Sequence, residues 1–239
     1  MALITQIPEW HTERYVQRAV RRFSQQQAVI PRQALQESKR YNDRYLTAIR
    51  TYLKAESITR GQFEYVGSAY ENLKIKSHLE IDILIILKGA VNPISRARAG
   101  FYNLREPKNK KSTNPILQQF EGEDIQPFKV ISEFFGYVKK ALVPFEGGPH
   151  EIVVRLHGPA VQLDVYKQAN RDELWYSVDL VPVFKSGKNL FVAKHSDTNP
   201  ADIDAWRMSH TLEEKRKFVR EYNQDSRREC LRVLKVCQA

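Results

Sequence analysis

Apolar residues recur at helical spacing over residues 9–29, where Val16, Ala19, Val20 and Phe23 form one stripe. Arg14, Arg18, Arg21 and Arg22 lie mostly to one side of that stripe, and Pro31 ends it. A second helix is predicted from about Arg32 to Ser57, with Leu35, Tyr45, Leu46, Ile49, Tyr52 and Leu53 inward and Lys39, Arg40, Arg44 and Arg50 outward. Gly61 marks its exit. Two strands follow, over 62–66 and 79–88, and then a polar, basic stretch over 92–114 in which "AGFYNL" carries a weak strand signal. Residues 123–142 return to helical spacing, with Ile125, Phe128, Ile131, Phe135 and Val138 inward and Glu121 and Glu123 placed to cap the helix. Beyond the turn "VPFEGGPH", the segments "EIVVRLHGPAVQLDVYK" and "ELWYSVDLVPVFK" read as strands. From Asp202 onward the pattern is helical again, with Trp206, Leu212, Phe218, Val219, Leu231, Leu234 and Val236 inward. This order predicts an α+β fold: N-terminal helices over 1–60, a core with a mixed central sheet over 61–187, and the start of a helical second lobe over 188–239.

Composition narrows the class. The 239 residues are 42% hydrophobic and 28% charged, as expected for a chain with a proper core and a solvated surface. No stretch reaches the roughly 18 apolar residues of a membrane span, and the N-terminus lacks the pattern of a signal peptide. The two cysteines, Cys230 and Cys237, give no disulfide framework. A cytoplasmic location is expected, with the nucleus as the alternative. The net charge of +10 favours a polyanionic partner. It is concentrated in the first two helices and in "ISRARAGFYNLREPKNKK".

The second strand raises a chemical question. In "HLEIDILIIL", Glu80 and Asp82 interrupt an apolar run. Side chains two apart on a strand share a face, so these acids project together while Leu79, Ile81 and Ile83 face the other way. Two adjacent carboxylates repel, and their burial is costly unless a cation offsets it. Mg²⁺ prefers such hard oxygen ligands together with substrate phosphates. A pair of ions about 3.5–4 Å apart clamps the attacking and leaving oxygens of phosphoryl transfer. Such a pair needs a third carboxylate, and both Asp164 in "VQLDVYK" and Asp179 in "YSVDLVPVF" are candidates. Asp179 sits in the more apolar run, whereas Asp164, near Tyr166 and Lys167, reads as a rim residue. Upstream, Gly67-Ser68 ends a strand where backbone N–H groups and a hydroxyl can meet a phosphate.

A strand, Gly-Ser, a gap and acid-x-acid in a second strand together resemble the nucleotidyltransferase superfamily with the polymerase-beta-like fold. More closely, "VGSAYENLKIKSHLEIDILIIL", "NPILQQFEGEDI", "GPAVQLDVY" with "YSVDLVPVF", and "FVAKHSDTNPADIDAWRMSHTLEEK" resemble cyclic GMP-AMP synthase and its animal relatives, the cyclic GMP-AMP synthase-like receptors. The resemblance runs from roughly Tyr65 to Lys235. It implies that Asp179, not Asp164, is the third ligand, so that Glu80, Asp82 and Asp179 are both catalytic and metal-binding. It implies Mg²⁺ or Mn²⁺ as cofactor, Gly67 and Ser68 at phosphate, and Lys194, Arg207, Ser209 and Glu214 as nucleotide contacts. The implied activity joins ATP and GTP into a cyclic dinucleotide, a second messenger of innate immunity. The implied activator is double-stranded RNA or DNA on a basic face, here Arg14, Arg18, Arg21, Arg22, Arg40 and Arg44, with dimerisation on nucleic acid as a further expectation.

Departures accompany the likeness. "REYNQDSRREC" offers Cys230 without the family's cysteine cluster, so no zinc is expected. The chain stops at Ala239, where the family continues through most of its second lobe, and a fragment or a short form with an incomplete cleft is expected from that. Two rival readings follow: a non-catalytic member acting as a nucleic-acid-binding or scaffold protein, and a template-independent polymerase making a linear product. His78 reads as a rim or packing residue and Trp206 as core.

Overall fold

The computed structural model describes residues 14–23, 32–67, 79–96, 98–108, 111–167, 170–193 and 205–221. Helix α1 (Arg14–Phe23) contains the whole apolar stripe, the rest of the span 9–29 lies outside the described residues, and Phe23 is exposed. Helix α2 (Arg32–Ala55) follows the predicted span closely. Its buried stripe of Tyr45, Leu46, Ile49 and Leu53 repeats at three and four residues, as one helix face requires.

Among the described residues nine strands form one mixed sheet in the order β1-β2-β7-β8-β9-β4-β3, with β6 also on β7 and β5 on β6. They are β1 (Thr59–Val66), β2 (Leu79–Leu87), β3 (Asn92–Ser95), β4 (Phe101–Arg105), β5 (His150–His157), β6 (Ala160–Lys167), β7 (Asn170–Ser186), β8 (Asn189–Val192) and β9 (Trp206–Ser209). Among the described residues the β2–β7 pairing is parallel and every other pair is antiparallel. Strand β7 spans 17 residues. One of its edges pairs with β2, while the other pairs first with β6 and then with β8. Pro182 sits at that hand-over, where the ladder to β6 has ended and that to β8 begins.

Helix α2 and helix α4 (Pro127–Leu142) pack together over one sheet face. Below them Ile81, Ile83, Ile85, Val161, Leu163, Val165, Tyr176, Val178 and Leu180 join the main core. A smaller cluster of Val66, Leu84, Ile86, Val183 and Leu190 lies on the opposite face, with Leu212 of helix α5 (Thr211–Glu221) against it. Lys215 of α5 donates to the Tyr65 carbonyl at 2.6 Å, fastening that helix to the end of β1.

Three local expectations are corrected. Phe128 is 69% exposed, because the helix starts at Pro127 and its buried phase runs through Val130, Ile131, Phe134 and Val138. Glu121 and Glu123 do not cap α4, whose N-cap is Gln126 followed by Pro127 at the first helical position. Glu121 instead pairs with Lys111 at 2.7 Å. The side-chain cap belongs to helix α3 (Pro115–Gln118), where Asn114 Oδ1 accepts from the Ile116 amide at 3.0 Å. Residues 206–209 form a strand rather than helix, since they pair with both β8 and β4. Trp206 is fully buried as expected, and its indole N–H donates to the Ile125 carbonyl at 2.7 Å.

Candidate metal centre

The centre is assembled by register. In the parallel β2–β7 pair Asp82 lies opposite Asp179 and Glu80 opposite Ser177. The period of two puts all four side chains on the sheet face away from α2 and α4. Ligand oxygens of Glu80, Asp82 and Asp179 fall within 4.8 Å of one another. Unit charges about 4 Å apart repel by roughly 4 kcal/mol at a surface-like effective dielectric. The triad therefore asks for a compensating cation or a proton. Burial, and next the charge of Glu80, push the Asp179 carboxyl above the usual aspartate range; His157 and the Gln162 amide act in the opposite direction. The Asp179 Oδ1 oxygen is buried without a well-aligned donor. Three hard oxygen donors, one with an orphaned oxygen, fit a divalent metal ion.

Gly67 explains how Asp82 fits. Strand β1 ends opposite Asp82, at Val66, and the next residue takes φ +77. A Cβ at position 67 would lie 2.1 Å from Asp82 Oδ2. Glycine is thus required twice, for the left-handed backbone and for the room it leaves the carboxylate.

The polar face continues beyond the triad. Across the antiparallel β6–β7 pair, Gln162 lies opposite Asp179 and Asp164 opposite Ser177. Asp164 is 1% exposed, which corrects its reading as a rim residue. From β5, Arg155 Nη2 approaches Asp164 Oδ2 at 2.8 Å, and Arg155 Nε donates to Gln162 Oε1 at 2.8 Å. His157 Nδ1 lies 3.8 Å from Asp179 Oδ2 at the exposed end of β5. The sequence reading missed Gln162, Arg155 and His157. Their signal was available as alternate polar positions in "VVRLH" and "VQLD", but its meaning depends on which strands become neighbours.

Other expected site residues are distributed as follows. Ser68, His78, Lys194, Cys230 and Cys237 lie outside the described residues. Arg207 is exposed on β9, two strands from β7. Ser209 shares its hydroxyl with Thr211 at 2.7 Å, and Glu214 is exposed on the first turn of α5. Arg14, Arg18, Arg21 and Arg22 are exposed on α1, as are Arg40 and Arg44 on α2, Arg44 standing 5.4 Å over the Phe145 ring.

The description of the Mab-21 protein nucleotidyltransferase domain matches residues 69–228, more than half of the chain. The chain belongs to that family. Its nucleotidyltransferase domain thus contains β2 and β7, the strands that carry the acidic triad. This Mab-21-family chain is also 32% identical over 143 residues to cyclic GMP-AMP synthase-like receptor 3 of Stylophora pistillata. That match covers 56% of the chain and 40% of the relative, so the chain spans well under two thirds of the curated relative's length. Among the described residues no helix is long and apolar enough to cross a membrane.

Proposed function

We propose that this chain is a metal-dependent nucleotidyltransferase that makes a cyclic dinucleotide from ATP and GTP in response to double-stranded RNA or DNA. The observation that carries the reading is the convergence of Glu80, Asp82 and Asp179 within 4.8 Å on one sheet face. Membership of the nucleotidyltransferase family and the likeness to cyclic GMP-AMP synthase-like receptor 3 of Stylophora pistillata support the choice of reaction.

Glu80, Asp82 and Asp179 would hold Mg²⁺ or Mn²⁺. Bound there, the ions would supply positive charge where a ribose hydroxyl loses its proton and pyrophosphate departs. The chain's own part is positional. Parallel register fixes the spacing of Asp82 and Asp179, and Gly67 leaves the space Asp82 occupies. Gly67 and Ser68 would receive a nucleotide phosphate, and Lys194, Arg207, Ser209 and Glu214 would contact the nucleotides. The exposed arginines Arg14, Arg18, Arg21, Arg22, Arg40 and Arg44 would meet the activator through its phosphates, with little sequence readout. Dimerisation on nucleic acid, a cytoplasmic or nuclear location and a part in innate antiviral defence belong to the same proposal. So does the division into N-terminal helices, catalytic core and second lobe.

The test is incubation of the purified chain with labelled ATP and GTP, Mg²⁺ or Mn²⁺, and double-stranded RNA or DNA in parallel, with products resolved by chromatography. A cyclic product that requires one nucleic acid, and disappears in Glu80→Ala and Asp179→Ala, is expected. A linear product would replace the cyclic reading with that of a template-independent polymerase. Folded protein that binds nucleic acid yet turns over no nucleotide would favour a scaffold. Wild-type turnover in either alanine variant would remove the metal assignment.

A further inference from the structure

The family of strands around the triad contains a buried polar chain that the proposed reaction does not itself use. Gln162 is 5% exposed, Asp164 1% and Asp179 9%. Arginine carries only donors, so the Gln162 atom facing Arg155 Nε is the carbonyl oxygen, at 2.8 Å. That contact fixes which way the amide points. Its NH₂ is left to donate, and the β6–β7 register sets Gln162 directly opposite Asp179. Arg155 is in turn held by Asp164 at 2.8 Å. A chain thus runs from β5 through β6 to β7: Asp164 holds Arg155, Arg155 orients Gln162, and Gln162 presents a donor to the third carboxylate. Arg155 alone in this chain is about half exposed, with 55% of its side chain open. Neutralising Asp164 would need only a positive charge; the additional contact from Nε to Gln162 uses the planar fork that distinguishes arginine from lysine.

We propose that Gln162, oriented by the Arg155–Asp164 pair, is a positioning residue that sets the rotamer of Asp179 for divalent metal binding. The proposal rests on the metal reading of the triad. A residue that orients a ligand changes metal affinity by about 10–100-fold when removed. An amide suits the role because it directs the carboxylate without adding a further negative charge to the face.

The test titrates Mn²⁺ into the full chain without nucleotide, reading free Mn²⁺ by electron paramagnetic resonance, with circular dichroism and thermal unfolding as fold controls. Gln162→Met keeps a linear side chain of similar volume and removes the donor. Arg155→Met acts at a half-exposed position and serves if Gln162→Met does not fold. Each is expected to weaken Mn²⁺ binding about tenfold or more, and the double variant no further than the stronger single one. Arg155→Lys is expected to behave like Arg155→Met, since one ammonium cannot hold both oxygens in the same geometry. Wild-type affinity in Gln162→Met, losses that add in the double variant, or rescue by lysine would each overturn the proposal. Wild-type protein that binds no Mn²⁺ would instead overturn the metal reading beneath it, so the two failures are distinguishable.

Discussion

On one face of β2, β6 and β7, Ile81, Ile83, Leu163, Val165, Val178 and Leu180 are buried beneath α2 and α4. On the other, Glu80, Asp82, Gln162, Asp164, Ser177 and Asp179 share the same strands in alternate positions. The first face gains stability from burial, at about 25 cal/mol per Å² of apolar surface removed from water. The second gathers like charges, which opposes folding unless a ligand compensates. A single backbone register serves both, so the chain carries a stabilising and a reactive surface within one peptide thickness. The difference teaches that the reactive face is held in place largely by the apolar one behind it.

Substitutions on each face should break this comparison in opposite ways. Ile83→Ala, at a fully buried position, is expected to cost about 2–5 kcal/mol by leaving a cavity. Urea unfolding would measure it, and a loss below about 1 kcal/mol would mean the core relaxes around the gap. Gly67→Ala should cost about 1–3 kcal/mol for the strained backbone and, by displacing Asp82, lower turnover as much as ~100-fold. Comparison of kcat with chemical denaturation would separate the two effects.

Asp179→Asn should act the other way on stability. Burial and Glu80 raise the folded-state pKa of Asp179, so the folded chain holds its proton to higher pH than the unfolded chain does. Charged Asp179 therefore costs stability above the raised value, and the cost disappears as pH falls toward the ordinary aspartate range. In metal-free protein with chelator, Asp179→Asn is expected to raise Tm near neutral pH by about 2–4 °C for each kcal/mol recovered. That gain should vanish in acid, and differential scanning calorimetry across pH would show it. Added Mn²⁺ should stabilise wild type but not the variant. The smallest effect belongs to Phe128→Ser, at 69% exposure, which should stay within about ±0.5 kcal/mol in the same unfolding assay.

Phe128 also marks a limit of sequence reading. Helical spacing placed it inward with Ile131, Phe135 and Val138, whereas the helix start at Pro127 and the packing of α4 on α2 bury Phe134 instead. Local periodicity was enough for α2, for β2 and for the shared face of Glu80 and Asp82, because those patterns are long and lie within one element. Strand β9 was hidden, since four residues carry little period and its pairing depends on distant β4 and β8. Asp164 was misread for a similar reason. Its sequence neighbours Tyr166 and Lys167 are partly exposed, while its counter-ion Arg155 comes from the adjacent strand. Asp179 could be preferred over Asp164 by family likeness, whereas bare pattern left both open. Register across strands, which no local window contains, then brought Asp179 beside Asp82.

Strand β7 has a consequence for how the chain can go wrong. Its 17 residues contact β2 along one edge and β6 and β8 along the other. A slip of one position would turn Asp179 into the core and put Val178 and Leu180 on the outside. The same slip would unseat Phe184 and its neighbours at the far end, because both halves belong to one rigid ribbon. Mispaired molecules would therefore show sticky, acid-cored surfaces rather than a subtly damaged site, which makes them conspicuous to chaperones and proteases. The length of one strand in this way works as proofreading: a molecule that passes as folded has its carboxylates aligned.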